Sequence, residues 1–462
     1  MKHVLLALSL SIPAFGQDVV RAIELPRATM RELAATPLRE PSRVIEQRWL
    51  PPFDSLHIDV IGPVATLEPP VAAIQAPSAT TFFVETSTAV SPADASGAVG
   101  PTHLVGAHNS AIVVQNRTGG MLTRVTLAQF WFSNAGLAIY YDPRVVYDAQ
   151  HDRWVVVSIW DEKAVMLAVS ETGDPTGAWR RYQFTQQRAD YSQLVLSGDS
   201  IVAGTTDFAG NLSYYFVVPR TTAYANPATL SATRIDANAS NATPVASATQ
   251  KWIVTGNSLN IAWAPLDNTA TWKGANTPNI LNHPSGTPLP QAGGPGLDGG
   301  LGVVESAVEH DGWIYVVYDR LPRGTSRHII EWCRFHPVTG AASWGTIVDP
   351  DPNVSYGYPS LAINRNGAII IGFGIFSPTS YASSGYIYRD AAGNWSPVKR
   401  IRHGDSAFTV TDRWGDYSST VVDPVDGTTF WTLQMNAKSA NWETTWSRIS
   451  ADTKSKRRTA RH

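Results

Sequence analysis

The sequence is poor in cysteine and in charge. Cys333 is the only cysteine among 462 residues, so no intrachain disulfide can form and the fold must be stabilised by a hydrophobic core. Charged residues make up 16% of the chain and the formal net charge is −2, which argues against nucleic acid or an acidic membrane surface as the main partner. The basic stretch 451–462 is predicted to be a disordered, solvated tail.

Long hydrophobic runs are also lacking. Beyond the N-terminus no stretch approaches the ~20 apolar residues of a membrane span, so an integral membrane protein is not expected. The N-terminus has a basic start at Lys2 and an apolar run from Val4, and Ala14 and Gly16 occupy the positions that signal peptidase prefers. We therefore predict a signal peptide over 1–16, cleaved after Gly16, and a secreted protein that is extracellular or periplasmic.

The sequence contains no P-loop, nucleotide-binding glycine motif, GxSxG elbow or zinc motif. In HIIEWCRFH, His328 and His336 would lie on one face of a strand and Cys333 on the other, which excludes local metal coordination. Asp349 and Asp351 in VDPDPNVS could hold Ca²⁺ through oxygen ligands, although a Pro-bounded loop of this kind is more often only a turn. No other cofactor is predicted.

What the sequence does contain is aromatic residues and glycine, with 16 Trp, 16 Tyr and 35 Gly. This composition in a weakly charged chain indicates a β-rich protein with many turns. Residues 17–88 are rich in Pro, Ala, Arg and Glu and are interpreted as an extended N-terminal segment with a short helix around 27–35. Over 89–450 the pattern is one of short strands, and this stretch is predicted to be the folded domain.

The strand pattern repeats along the chain. Five eight-residue stretches each precede a tight turn and a second strand rich in β-branched or aromatic residues: YDPRVVYD from Tyr141, DYSQLVLS from Asp190, GVVESAVE from Gly302, GYPSLAIN from Gly357 and DYSSTVVD from Asp416. KWIVTGNSLNIAWAP is a degenerate sixth copy, and HLVGAHNSAIVVQNRTGGMLTRV supplies a shorter seventh. The copies begin about 50 to 60 residues apart, with further hairpin-like pieces between them.

Four strands per period at this spacing predict an all-β fold, a β-propeller, in which each blade buries its faces against its neighbours. Units beginning at 101, 142, 190, 251, 302, 357 and 416 give seven four-stranded blades, with six or eight as alternatives. The alternative fold, two stacked β-sandwiches, would not explain the repeat period of the strands. Either the N-terminal arm or the strand around 442–449 is expected to close the ring, because closure removes exposed sheet edges.

The stretches GAVGPTHLV, YDPRVVYD, AVSETGDPTGAW, GYPSLAIN and WGDYSSTVVDPVDGTTFWT resemble a largely uncharacterised family of secreted bacterial β-propeller proteins with sialidase-like, or BNR-like, architecture. The resemblance covers roughly 91–434 and implies the propeller fold without an established activity. Ser170, Asp174, Gly177 and Trp179 approximate an Asp-box with altered spacing. In the family an Asp-box is a turn that folds a blade and does not catalyse.

Propellers bind ligands at one mouth of the central channel, where the innermost strands start and the second strands end. The carboxylates expected there, and hence the candidates for catalysis, are Asp142, Asp190, Glu305 and Asp416. The candidates for ligand binding are Arg144, Tyr191, Gln193, Asp207, Asp319, Arg320, Tyr358 and Tyr417. Acids, tyrosines and arginines that converge from separate blades suit sugar recognition or acid–base work. The alternative is that each residue caps a turn or packs between blades.

Two functional classes follow. The first is a secreted propeller that binds or cleaves an extracellular glycan, and an enzyme of this class would be a glycoside hydrolase or polysaccharide lyase. Sialidase chemistry has little support, because it needs three arginines and only Arg144 and Arg320 are placed to contribute. The second class is a non-catalytic scaffold that binds a surface protein. In either class the protein is expected to be a monomer.

Overall fold

The computed structural model describes residues 17–36, 43–44, 58–68, 74–87, 90–131, 139–239, 241–256, 261–266, 272–277, 287–299 and 302–450. The expected signal peptide over 1–16 and the basic tail over 451–462 lie outside the described residues. Seven sheets are arranged as the blades of a β-propeller, which confirms the predicted fold and blade number. Each blade has four or five strands rather than uniformly four.

The first three blades follow each other along the chain, and their strands are given from the channel outward. Blade 1 consists of Ser96–Val99, His103–Ala107, Ala111–Asn116 and Met121–Thr126. Blade 2 consists of Tyr140–Asp148, Arg153–Trp160, Ala164–Ser170, Ala178–Thr185 and Ile23–Thr29. Blade 3 consists of Asp190–Ser197, Ser200–Asp207, Leu212–Pro219, Ser231–Ala237 and Gln17–Arg21.

The remaining four blades complete the ring. Blade 4 consists of Thr243–Pro244, Trp252–Gly256, Ile261–Pro265, Lys273–Asn276 and Asp59–Val64. Blade 5 consists of Ser306–His310, Trp313–Arg320, Ile329–Phe335, Ala342–Ile347 and Thr66–Leu67. Blade 6 consists of Ser355–Ile363, Ile369–Ser377, Ser380–Arg389 and Lys399–Arg402. Blade 7 consists of Ser419–Val422, Phe430–Lys438, Asn441–Ile449 and Ala79–Thr86.

The N-terminal segment supplies the outermost strand of five blades. Its strands pair antiparallel with blades 2, 3 and 7 and parallel with blades 4 and 5. The added strands cover edges that would otherwise present unpaired backbone groups to solvent. A further two-stranded sheet joins Arg43–Val44 to Val90–Ser91.

Ring closure uses a strand that lies far from its partner in sequence. Ala79–Thr86 pairs with Asn441–Ile449, with Ala79 opposite Ile449 and Thr86 opposite Glu443. The closed blade 7 is then tied to blade 1, because Arg124 Nε donates to Glu85 Oε2 at 2.8 Å. The last blade is therefore completed by the N-terminal arm, which was one of the two closures expected from the sequence.

Three short helices lie outside the blades: α1 (Met30–Ala34), α2 (Leu127–Phe130) and α3 (Arg220–Tyr224). In α1, Thr29 and Glu32 form a capping box, in which each side chain satisfies a backbone N–H of the other residue. This helix falls within the stretch 27–35 where a short helix is predicted. None of the helices in the described part of the chain is long and apolar enough to cross a membrane.

The hydrophobic core is divided among the interfaces between neighbouring blades. Val156 of blade 2 and Ile112 of blade 1 belong to one cluster, and Val317 of blade 5 and Ile371 of blade 6 belong to another. Strands such as Ile369–Ser377 are buried at every position, because both faces of a blade pack against neighbours. Cys333 is fully buried in such a cluster.

The turn of the last hairpin, over 423–427, is built by its own side chains. Asp426 Oδ1 accepts the backbone N–H groups of Thr428 and Thr429, both at 2.8 Å. Asp423 Oδ2 accepts the indole N–H of Trp431 at 2.9 Å. Gly427 has a φ of +62°, a conformation that residues with a Cβ rarely adopt. These residues are structural, as the sequence indicates.

Replacing Gly427 by Val should lower the free energy of unfolding by about 1 kcal/mol or more. A β-branched residue is disfavoured at this φ, and the new Cβ would lie 3.1 Å from Cδ of Arg365. Denaturant unfolding of Gly427→Val measures the loss. Gly324→Val is the matched control, because Gly324 also has a positive φ but a Cβ there meets nothing within 4 Å. The difference in unfolding free energy between the two variants measures the steric contribution at Gly427. Equal losses in the two variants would contradict a steric contribution.

Candidate functional site: the central channel

The innermost strands of all seven blades surround a central channel with a cavity of about 170 Å³. Each blade contributes at least one polar side chain to its wall. In blade order these include Ser96, Arg144, Gln193, Thr243, Glu305, Ser360 and Ser419. Glu305 comes directly before the innermost strand of blade 5. Polar side chains therefore occur around the whole circumference, among apolar ones such as Val145, Leu194 and Val421.

Three of the innermost strands start with the same local structure. The ladder to the second strand is interrupted between Tyr141 and Arg144, between Asp190 and Gln193, and between Gly357 and Ser360. At these bulges Asp142, Tyr191 and Tyr358 have φ values of +52°, +50° and +55°. A β-bulge bends a strand and re-aims its side chains. The related stretches YDPR, DYSQ and GYPS thus form the same β-bulge at the start of three innermost strands.

Arg144 lies between two of the predicted tyrosines. Its guanidinium carbon is 3.4 Å from the ring centre of Tyr417 and 5.4 Å from that of Tyr191. Such stacking is favourable for a guanidinium, particularly away from water. Arg144 Nε donates to the carbonyl of Ser192 at 3.0 Å, and Tyr417 Oη donates to that of Pro143 at 3.0 Å. Burial raises the pKa of both tyrosines, so they remain neutral.

Three acids from the neighbouring blades 7, 1 and 2 come together next to this stack. One carboxylate oxygen from each of Asp94, Asp142 and Asp416 lies within 4.8 Å of the others. Burial, followed by the charges of neighbouring acids, raises the pKa of Asp94 and of Asp142 well above the usual range. The cluster joins Asp142 and Asp416, which the sequence predicts, to Asp94, which it does not.

Arg413 and Asp298 extend this cluster toward blade 6. Arg413 Nη2 donates to Asp416 Oδ1 at 2.8 Å, and its Nε lies 2.9 Å from Asp298 Oδ2. Tyr358 Oη donates to Asp298 Oδ1 at 2.6 Å. Burial raises the pKa of Asp298 to about 6, against the opposing effect of Arg413. Tyr358 is therefore one member of a buried ionic network rather than an exposed ligand contact.

Glu305 and Asp319 form a buried acid pair in blade 5. Burial, and next the neighbouring Asp319 carboxyl, raise the pKa of Glu305 well above its usual range. Two carboxyls this close favour a shared proton. Asp319 is the hydrogen-bonding partner of the Glu305 carboxyl, through both its backbone N–H and its side chain. Asp319 Oδ2 also lies 3.7 Å from Nδ1 of His328.

Gln193 has a buried side chain whose polar atoms are unsatisfied. It is 4% exposed, and neither its Nε2 nor its Oε1 has a hydrogen-bond partner among the described residues. Buried amides are normally paired, so an exception of this kind calls for an explanation. Gln193 and Glu305 both line the channel cavity. Gln193 thus brings one donor and one acceptor to the cavity that have no partner among the described residues.

Some of the predicted residues make contacts within their own blade. Asp207 accepts the backbone N–H of Gly210 at 2.8 Å and lies 3.2 Å from Arg188 Nε. Arg320 forms an ion pair with Glu331 at 3.1 Å. Asp190 Oδ1 accepts the backbone N–H of Tyr191 at 2.9 Å. For these residues the capping or packing role that the sequence left open describes the geometry.

The possible calcium ligands in the loop after blade 5 are likewise engaged in a turn. Asp349 Oδ2 accepts the hydroxyl of Tyr356 at 2.6 Å, and Asp351 Oδ1 accepts the backbone N–H of Asn353 at 2.9 Å. These bonds belong to a Pro-bounded turn, which was the alternative to a calcium site at Asp349 and Asp351. The acids gathered by the fold lie elsewhere, in the Asp94 cluster.

The predicted mouth residues are more buried than an open binding surface would require. Leu289, Leu297, Phe408 and Trp414 form an apolar cluster with Tyr358 beside the acids. These side chains come from segments 287–299 and 403–415, which have no repeat pattern in the sequence, and from Tyr358 of blade 6. The sequence analysis therefore did not predict this apolar cluster. It also did not predict Asp298 and Arg413, which lie within these segments. Asp94 could have been predicted as a site residue, because it precedes an innermost strand much as Asp416 does.

The molecule is thus a seven-bladed β-propeller with a polar channel and buried acids at the start of its innermost strands. No family model matches the chain, and no curated protein matches it in sequence. The similarity to a family of secreted bacterial propellers is therefore supported only as far as the fold.

Several solved structures are similar to the chain. They include the GH43 endo-arabinanase from Bacillus licheniformis, with 13% identity, 66% of this chain and 96% of that chain covered, and a TM-score of 0.32. The SapL1 lectin in complex with alpha methyl fucoside has 9% identity, coverage of 68% and 97%, and a TM-score of 0.40. A subtype N10 neuraminidase-like protein of A/little yellow-shouldered bat/Guatemala has 8% identity, coverage of 69% and 95%, and a TM-score of 0.39. These identities and TM-scores are too low to carry an argument about activity.

Proposed function

We propose that this protein is a secreted propeller that binds an extracellular carbohydrate in its central channel, through Gln193, Glu305 and Arg144. The observation that carries the proposal is the buried side chain of Gln193, which faces the channel without a hydrogen-bond partner in the described residues. Glu305, which is paired with Asp319, lines the same cavity. A buried polar group without a partner costs roughly 1–3 kcal/mol. A ligand that supplies donors and acceptors in the cavity would recover this free energy.

The chemistry of the wall suits a molecule rich in hydroxyl groups. Gln193 can both donate and accept, and Glu305 can do so too when it is protonated. Arg144 adds a guanidinium that contacts two tyrosine rings. Pockets with a few convergent polar groups among apolar ones are typical of small-ligand sites. Secretion is supported by the N-terminal sequence, and a glycan is then a ligand that the protein would meet.

A catalytic version of this proposal would use Glu305 as the proton donor, because its pKa is raised by burial and by Asp319. The roles of Asp142, Asp190 and Asp416 in catalysis stay predictions. The scaffold alternative has weaker support. The exposed apolar side chains of the outer strands, such as Val19, Val64 and Phe83, belong to different blades, and scattered residues of this kind are normal on a protein surface.

The test is a glycan array and a polysaccharide-degradation screen with the full chain, followed by calorimetric titration of the best ligand. Glu305→Gln and Gln193→Leu should each weaken binding by about 10-fold or more. Gln193→Leu should not lower the melting temperature, because it removes a group that lacks partners among the described residues. Gln434→Leu is the matched control, since the amide of Gln434 donates to Ser418 at 3.0 Å and to Thr432 at 2.8 Å. This variant should lose stability.

If no glycan binds, or if Glu305→Gln and Gln193→Leu bind as tightly as the wild type, the channel proposal is wrong. Release of sugar fragments that disappears in Glu305→Gln would establish the catalytic version. Binding without fragment release would establish a lectin-like function.

A further inference from the structure

We propose that Asp94, Asp142 and Asp416 bind a hard divalent cation, with Ca²⁺ as the best fit, at the seam where blades 7, 1 and 2 meet. The three carboxylates are all oxygen donors, and each offers an oxygen within 4.8 Å of the other two. Two oxygens on the same Ca²⁺ ion are at most about 5 Å apart, because Ca–O distances are 2.3–2.6 Å. The spacing is therefore compatible with one shared ion.

The carboxylate of Asp142 is the second, independent observation. Asp142 is only 2% exposed. Its backbone N–H donates to Asn109 and its carbonyl accepts from Ser192, but among the described residues nothing donates a hydrogen bond to its carboxylate. An ionised carboxylate buried in this way costs several kcal/mol unless another charge neutralises it. The side chain points toward two further acids instead of toward a donor.

The surrounding residues hold the three acids in place. Asn109 links two of them, because its Nδ2 donates to Asp94 Oδ2 at 2.7 Å and its Oδ1 accepts the N–H of Asp142 at 2.8 Å. Asp94 Oδ1 accepts the N–H of Asp416 at 2.9 Å. Hydrogen bonds of this kind orient the ligands of metal sites. Asn109 is therefore assigned as a positioning residue.

Local charge also favours a cation. Asp298 lies close to the three acids, and Arg413 is the guanidinium that pairs directly with this group, through Asp298 and Asp416. Arg144 acts on Asp142 from the channel side. The acids outnumber the guanidiniums in a region shielded from water. Because the three ligands come from blades 7, 1 and 2, a bound ion would tie the last blade to the first two.

The experiment is a calorimetric titration of the EDTA-treated full chain with CaCl₂, MgCl₂ and MnCl₂, together with melting curves at about 1 mM cation. One equivalent of Ca²⁺ should bind and raise the melting temperature by about 2 °C or more. Asp142→Asn should fold, and in the absence of metal it should be at least as stable as the wild type, because a like charge is removed. Its Ca²⁺ affinity should fall by about 10-fold or more, as should that of Asp416→Asn.

Asp161→Asn is the matched control, because Asp161 also has a positive φ but lies outside the cluster and pairs with Lys163. Its Ca²⁺ affinity should equal that of the wild type. Absence of binding by the wild type for all three cations would overturn the proposal and leave protons to neutralise the acids. Binding that survives in both Asp142→Asn and Asp416→Asn would overturn it as well, because the ion would then lie elsewhere. Neither result bears on glycan binding, which is measured separately.

Discussion

Replacing Val84 by Asp is expected to lower the free energy of unfolding by roughly 3–5 kcal/mol, as for other unpaired buried charges. Val84 is fully buried in the strand that closes the ring, where it packs in a cluster with Trp431 and Trp446. A carboxylate at this position would be buried among apolar side chains of blades 1 and 7. Because Ala79–Thr86 is the strand that completes blade 7, its loss should weaken the whole ring rather than one loop.

Phe83→Asp is the control for this prediction. Phe83 is the preceding residue of the same strand and is 47% exposed, so the same charge would be placed on the solvent side. We expect the change in unfolding free energy to stay within about 0.5 kcal/mol of zero, apart from a small gain or loss of strand propensity. Denaturant unfolding followed by tryptophan fluorescence measures both variants. Similar losses in Val84→Asp and Phe83→Asp would show that the closing strand does not contribute in the manner described.

The second large effect is expected at Arg413. Its side chain is 7% exposed and pairs with Asp298 and Asp416 at 2.9 and 2.8 Å. Arg413→Met would leave two buried acids without their cation, and removing one partner of a buried ionic network typically costs about 3–5 kcal/mol. The loss should be smaller near pH 5 than near pH 8. The pKa of Asp298 is already raised to about 6, so the folded variant would take up protons at lower pH and gain stability relative to the unfolded chain.

Lys438→Met provides the matched control. Lys438 Nζ lies 3.0 Å from Asp405 Oδ2, and both side chains are substantially exposed. Such surface pairs contribute less than about 1 kcal/mol, so this variant should be nearly as stable as the wild type at either pH. The double variant Arg413→Met/Asp298→Asn should recover part of the stability lost in Arg413→Met, because one unpaired charge is removed. A loss at Arg413 no larger than that at Lys438 would mean that the network is not stabilising.

The repeat in the sequence favoured seven blades over six or eight. Stretches such as YDPRVVYD and DYSSTVVD alternate apolar and polar residues and lead into turns with Asp, Asn or Gly, and each of these signals is local. The turn over 423–427 is an example, because Asp426 and Gly427 satisfy its geometry without help from distant residues. Candidate residues at the starts of the innermost strands could be aligned for the same reason.

The strand pairing of the N-terminal arm could not be predicted from such local signals. Gln17–Arg21 and Ile23–Thr29 join blades 3 and 2, whereas Asp59–Val64 joins blade 4. Almost any extended segment can form backbone hydrogen bonds with a sheet edge. The sequence of a segment therefore says little about which edge it joins. The pairing of 79–86 with 441–449 depends on the ring bringing the two ends of the chain together.

The sequence by itself therefore determined the all-β class, the hairpin turns and the acids that begin the innermost strands, and it favoured seven blades over six or eight, because period, alternation and turn chemistry act over a few residues. Only the tertiary structure decided that Asp142 and Asp416 meet Asp94, that Arg413 pairs with two of the neighbouring acids, and that Gln193 remains without a partner in the described residues. These relations join residues up to hundreds of positions apart. They depend on how closing the ring sets the distances between blades and on how segments 287–299 and 403–415 pack beside the acids, and neither is encoded by a local pattern.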